Sequence, residues 1–175
     1  STGMVVTSQI VHATPASFVS HNISRRNYNE IADEFFDNKY NGMPMADILL
    51  GGGLKYFKRK DRDLVKEFID KDYRFVQNLS GLNSVNSEQI LGLFAKIGLE
   101  KMWDRDEATP SLADMTDVAL TQLSKNKKGF FLMVEASKID WASHENDIVG
   151  VMSEMEDFEL AFKTAIDFAK HNSNT

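Results

Sequence analysis

Glu135, Asp140 and His144 lie within ten residues of one another, directly after the apolar run 130–134. Carboxylate oxygens and an imidazole nitrogen are the ligand types that hold Zn²⁺ and related divalent cations. Asp140 and His144 are four apart, so on a helical turn they share a face and can chelate one ion. The same spacing also suits a helix cap followed by a surface histidine. A second group, His12-Ala13-Thr14-Pro15, follows the first apolar run. The Thr14 hydroxyl is a hard, neutral oxygen, acceptable to Mg²⁺ and poor for Zn²⁺. In that place it equally serves as an ordinary turn residue, and His12 as a hydrogen-bonded loop histidine. Arg25-Arg26 offers planar guanidinium forks that match a phosphate bidentately. The alternative for that pair is a solvated dipeptide ahead of an acidic helix.

The elements that must position these groups are read from hydrophobic period and punctuation. Residues 4–8 are β-branched and short, a buried strand. Pro15 suits the first position of a short helix over 16–21. Residues 27–38 carry Ile31, Phe35 and Phe36 at helical spacing. A strand over 46–50 stops at Gly51-Gly52-Gly53, read as a flexible turn because it lacks the pattern of a nucleotide-binding loop. An amphipathic helix over 63–71, strands at 73–76 and 89–95, and a loop over 98–110 follow. Ser111 with Asp114 forms a capping box for a helix that ends near Lys125-Asn126-Lys127-Lys128-Gly129. Residues 130–134 make a fully apolar strand. The last helix, about 149–170, presents Met152, Met155, Phe158, Phe162 and Phe168 as a core stripe. Apolar strands alternating with helices predict an α/β fold, a mostly parallel sheet covered on both faces. In such sheets ligands sit beyond the carboxyl ends of the strands, where both candidate groups fall.

Composition narrows the function. The 175 residues carry 20 basic and 26 acidic side chains, a net charge of −6, and no cysteine. A single domain is expected, with no repeat or linker. Thiolate metal sites and disulfides are excluded. The basic residues are scattered among acids, which argues against a nucleic-acid partner. No apolar run approaches the ~20 residues of a membrane span, and no targeting signal opens the segment.

Taken together, the motifs resemble one family. His12-Ala-Thr-Pro-Ala-Ser-Phe with His21 and Ser24-Arg25, then Asp47-Ile-Leu-Leu-Gly-Gly-Gly, then Pro110-Ser-Leu-Ala-Asp-Met-Thr, then Lys128-Gly-Phe-Phe-Leu-Met-Val-Glu135 with Asp140 and His144, are similar to alkaline phosphatases of the bacterial type. The resemblance runs in order over nearly the whole chain.

The resemblance implies a phosphate monoester hydrolase that works through a phosphoserine intermediate with two Zn²⁺ and one Mg²⁺ per complete site. Thr14 and Glu135 correspond to Mg²⁺ ligands, Asp140 and His144 to two Zn²⁺ ligands, and Arg25 to the arginine that clamps phosphate. His12 takes a variable position near the Mg²⁺. Trp141 stands where other members place a Lys or His that reaches phosphate through water, so that contact is not expected here. The nucleophilic serine, a bridging Asp and the remaining Zn²⁺ ligands have no counterpart in residues 1–175. The expectation is therefore a central segment, inactive alone, that completes its site with the remaining part of the enzyme chain. The expected ligands are phosphate monoesters and inorganic phosphate. The intact enzyme is expected to be a homodimer, periplasmic or secreted. Two rival readings are a non-catalytic acidic metal-binding or interaction domain, and a relative of the phosphodiesterase, sulfatase or phosphoglycerate mutase type.

Overall fold

The computed structural model describes residues 1–172. In chain order its elements are β1 (Thr2–Gln9), α1 (Ala13–Val19), α2 (Tyr28–Asp37), β2 (Lys39–Tyr40), β3 (Met43–Pro44), β4 (Ile48–Gly52), α3 (Leu54–Phe57), α4 (Leu64–Ile69), β5 (Arg74–Val76), α5 (Leu79–Ser84), β6 (Ile90–Leu93), α6 (Leu112–Leu123), β7 (Phe131–Glu135), α7 (Lys138–His144) and α8 (Ile148–His171). A single 3₁₀ turn, Met102–Asp104, interrupts the segment between β6 and α6.

Five strands form one parallel sheet in the order β5-β6-β4-β1-β7. Period-2 alternation divides the core between its faces. Met4, Val6, Leu49, Leu91 and Leu93 pack with residues of α1, α2, α3 and α4. Val5, Ile48, Leu50 and Ile90 pack with α5, α6 and Ala161 of α8. From β1 the chain moves outward through β4, then returns past it to place β7 on the other side of β1. The β1/β7 boundary is thus the point where strand order reverses, the usual crevice for a ligand in such a sheet.

The α/β reading and the five strands agree with the structure, and the Ser111–Asp114 capping box is present. Four expectations change. The first helix begins at Ala13, so Pro15 sits inside its first turn. The strand at 130–134 is not buried. As the outermost strand, β7 has a partner on one side only, and Phe131 is exposed. The Met and Phe stripe of α8 is not core: Met152, Met155, Phe158 and Phe162 face outward, while Gly150, Ser153, Glu154, Asp157 and Ala161 face in. The inward face is polar because it must satisfy a buried cation. Arg105 pairs with Asp157 at 2.6 Å and Glu154 at 3.4 Å.

The three glycines are not a loose turn either. Gly51 and Gly52 belong to β4, and Gly53, at φ 110°, is the N-cap of α3. A Cβ on Gly52 would overlap the carbonyl oxygen of Ile97, where the chain leaving β6 crosses over β4. The two segments are tied just beside this point by the Gly53 and Leu54 N–H groups, which both donate to the Ala95 carbonyl, so neither backbone can yield without breaking those bonds. Gly52→Ala is therefore expected to destabilise the chain by about 3 kcal/mol, the upper range for an overpacked interior. A urea unfolding midpoint left unchanged would count against this close approach.

Candidate active site

The first and last strands end side by side: the β1/β7 ladder runs from Thr2↔Phe131 to Val6↔Glu135. β1 leads through Gln9 into His12, the N-cap of α1, which puts Thr14 in the first helical turn. Glu135 closes β7, and the next helix carries Asp140 and His144. A layer of buried hydroxyls ties the start of α7 to β1. Ser137 Oγ donates to Ser8 Oγ at 3.1 Å, and the Lys138 N–H donates to Thr7 Oγ1 at 3.2 Å. Three polar residues at the end of an apolar strand, Thr7-Ser8-Gln9, were the sequence signal for this layer.

The Thr14 hydroxyl donates to Glu135 Oε1 at 3.3 Å. Glu135 Oε2 is buried with no hydrogen-bond partner. Burial pushes the Glu135 carboxyl up, the neighbouring Ser137 and Thr14 hydroxyls oppose this, and the charge of Asp140 adds to the rise. A buried carboxylate oxygen without a donor has an uncompensated desolvation cost that a cation removes. With a hydroxyl oxygen beside it, the donor set is all oxygen and suits a hard divalent ion.

Asp140 Oδ1 and His144 Nε2 lie 3.4 Å apart across one turn of α7, with side chains 72% and 80% exposed. Together they present one oxygen and one nitrogen to the same side, a partial Zn²⁺-type donor set. Among the described residues no group of three or more His, Asp or Glu is placed to hold a metal ion together.

Arg25 lies in the segment between α1 and α2 and joins the constellation through His12. Its Nη2 donates to His12 Nε2 at 3.3 Å. A guanidinium cannot accept, so the imidazole proton must sit on Nδ1. Burial lowers the His12 pKa below the ordinary 6.5 of an imidazole, and the Arg25 charge lowers it further against an opposing pull from Asp140. The His12 ring meets Trp141 edge-on at 5.3 Å. Lys138 Nζ lies 4.6 Å from the centre of the Trp141 ring, a cation–π contact that sequence reasoning missed. Thr14, Glu135, His12, Arg25, Trp141 and Asp140 thus converge through direct contacts and charge coupling, and His144 joins them through Asp140.

The arrangement offers an oxygen pair for a hard cation, a partial Zn²⁺ pair and a guanidinium fork, all at the strand-order reversal. The sequence model of the alkaline phosphatase family matches residues 1–175. The chain belongs to the alkaline phosphatase family. Alkaline phosphatase 3 of Bacillus subtilis is 57% identical over all 175 residues, which span 38% of its length. The cold-active alkaline phosphatase of a psychrophilic Shewanella superposes with a TM-score of 0.87 at 42% identity, over 98% of this chain and 40% of that one. A variant of the alkaline phosphatase from the Antarctic bacterium TAB5, described with Mg bound in its M3 site, matches with a TM-score of 0.82 at 34% identity, over 97% of this chain and 48% of that one. The chain therefore spans between 38% and 48% of the length of these alkaline phosphatases. The phosphodiesterase- or sulfatase-type alternative is replaced by this family assignment.

The histidine supplies a direct check. A depressed imidazole pKa favours the neutral form, so His12 adds no cost to folding above pH 6.5. As pH falls through that value, the unfolded chain takes up the proton first and stability declines. Its NMR titration midpoint is expected below 6.5. In Arg25→Ala it should rise without reaching 6.5, because burial, the larger cause, remains. A midpoint indifferent to Arg25 would contradict the contact.

Proposed function

We propose that these residues form part of the active site of a phosphate monoester hydrolase acting through a serine phosphorylated in turn. The observation that carries this reading is the buried, donorless Glu135 Oε2 beside the Thr14 hydroxyl, coupled to the Asp140/His144 pair and Arg25. Thr14 and Glu135 would hold Mg²⁺, and Asp140 and His144 would supply two of the ligands to one of two Zn²⁺ ions. When bound, the Zn²⁺ ions supply Lewis acidity to the oxygens of the displacement and Mg²⁺ a hydrated positive charge.

The residues of this chain bind and orient. Arg25 forms no ion pair among the described residues, so its fork is available to two oxygens of a phosphate monoester or of inorganic phosphate. The Arg25–His12 hydrogen bond aims the guanidinium, and Trp141 limits where the imidazole can turn. Trp141 has no charge to lend, so the phosphate rests on Arg25 from this side.

Residues 1–175 act as a central segment of one alkaline phosphatase domain, with the serine and the remaining Zn²⁺ ligands on other parts of the polypeptide. This reading is supported by the 38% share of the Bacillus relative, by the open outer edge of β7, and by the outward apolar face of α8, which the remaining polypeptide would cover. A contiguous apolar face of that length is costly to leave in water. The intact enzyme is proposed to be a secreted or periplasmic homodimer. No helix among the described residues is long and apolar enough to cross a membrane.

Three measurements test the reading. The complete polypeptide should hydrolyse p-nitrophenyl phosphate at alkaline pH and lose that turnover to a chelator. The 175-residue chain alone should be silent and bind Zn²⁺ far more weakly than nanomolar, because ligand count and preorganisation are both reduced. In the complete polypeptide, Glu135→Gln should abolish the response to added Mg²⁺. Persistence of that response would remove Glu135 from the Mg²⁺ role.

A further inference from the structure

Arg25 lies three residues before α2 and is separated from β1 by the whole of α1. Among the described residues the one hydrogen bond of its side chain is to His12, so the place of the guanidinium depends on that contact and on the backbone that carries it. That backbone lies in a tight turn in which the Asn27 N–H donates to the Ser24 carbonyl at 3.1 Å. Both flanks of Arg25 are held by side chains. The Ser24 N–H donates to Asn22 Oδ1 at 3.3 Å, and the Arg26 N–H donates to Ser24 Oγ at 3.3 Å. Asn27 Nδ2 also donates to Asn22 Oδ1, at 2.9 Å.

Asn22 is in turn held by a single carboxylate. Its Nδ2 donates to Glu34 Oε1 at 2.8 Å, while the His21 N–H donates to Glu34 Oε2 at 2.6 Å. Glu34 lies on α2, whose neighbours Ile31, Phe35 and Phe36 are in the core. One further tie from the same helix end completes the anchorage: Asn38 Nδ2 donates to the Val19 carbonyl at 2.8 Å, fixing the end of α1. Among the described residues Glu34 has no cationic partner, and both of its oxygens are engaged by this segment.

We propose that Glu34, acting through Asn22, is a positioning residue for Arg25, so that the chain's affinity for the phosphoryl group is set by a carboxylate that never touches it. This rests on the reading of Arg25 as the phosphate-binding arginine. The order of the contacts is Glu34, Asn22, the Ser24–Asn27 turn, then the guanidinium. A negative charge would ordinarily weaken an anion site. Here the carboxylate is occupied by two donors and works as a bracket. Bidentate recognition tolerates little displacement, since a misplacement of about 1 Å can cost roughly 100-fold in rate.

The test is a double-mutant cycle in the complete, metal-loaded phosphatase, with inorganic phosphate as competitive inhibitor and p-nitrophenyl phosphate as substrate. Glu34→Ala should raise the phosphate inhibition constant and KM by about 10-fold or more, as a displaced fork would. Asn22→Ala should do the same. Adding either change to Arg25→Ala should cause little further loss, because the bracket has nothing left to aim. Glu34→Gln, which keeps one acceptor and the shape, should restore part of the affinity. Additive losses, or wild-type phosphate inhibition in both single variants, would overturn the positioning role. If Arg25→Ala itself leaves phosphate inhibition unchanged, the assignment of Arg25 fails and the positioning role falls with it. Should Glu34→Ala unfold the protein, Asn22→Ala and Glu34→Gln decide the question by the same comparison.

Discussion

The alignment of β7 on β1 is the constraint on which the site depends. Successive side chains along a strand point to opposite faces, so a slip of one residue would turn Glu135 away from Thr14. The partners are 121 residues apart along the chain, and no local propensity brings them together. Register is specified instead by packing. Gly3 lies against Leu123 and Leu132, Val5 is fully buried among α6 residues, and the backbone of Ser1 accepts from the Phe131 N–H at 2.9 Å. Each contact is weak alone, and together they hold a carboxylate in a place where one of its oxygens lacks a donor.

A second buried arrangement keeps the far side of the sheet in order. Arg105, in the segment between β6 and α6, is nearly enclosed, and Glu154 and Asp157 of α8 are fully buried around it. The carboxylates also receive backbone groups: Glu154 from the Met102 N–H at 2.7 Å and Asp157 from the Leu112 N–H at 3.0 Å. Burial pushes the Glu154 carboxyl up, and the Arg105 charge only partly counters it. Such a cluster gives modest net stability, yet the loss of one member leaves a buried charge uncompensated. Its value is geometric: it tells a long, otherwise irregular segment where to lie on α8, and α8 in turn braces α7.

Much of this was legible in the sequence, for physical reasons that differ by element. The apolar run Ile48-Leu49-Leu50 marks a buried strand, and Ser111 with Asp114 marks a helix start by its own hydrogen bonds. Asp140 and His144 could be paired because helical spacing determines their separation. Three kinds of feature escaped. The outward stripe of α8 misled because hydrophobicity cannot tell which of two helical faces will meet a buried arginine. The hairpin of β2 and β3 was passed over although Asn41-Gly42, both at positive φ, is a strong turn signal. The Glu34–Asn22 bracket joins polar residues of ordinary type at irregular spacing, and only the folded path of the chain reveals it.

The separation between Thr14 and Glu135 also has a meaning in time. A ribosome adds about 5–20 residues per second, so the hydroxyl emerges on the order of ten seconds before its carboxylate partner. During that interval β1 can pair with β4, about 45 positions along, while its other edge waits for β7. The Thr14–Glu135 contact therefore forms later in biosynthesis than the β1/β4 pairing, and until β7 emerges the hydroxyl stands without its carboxylate.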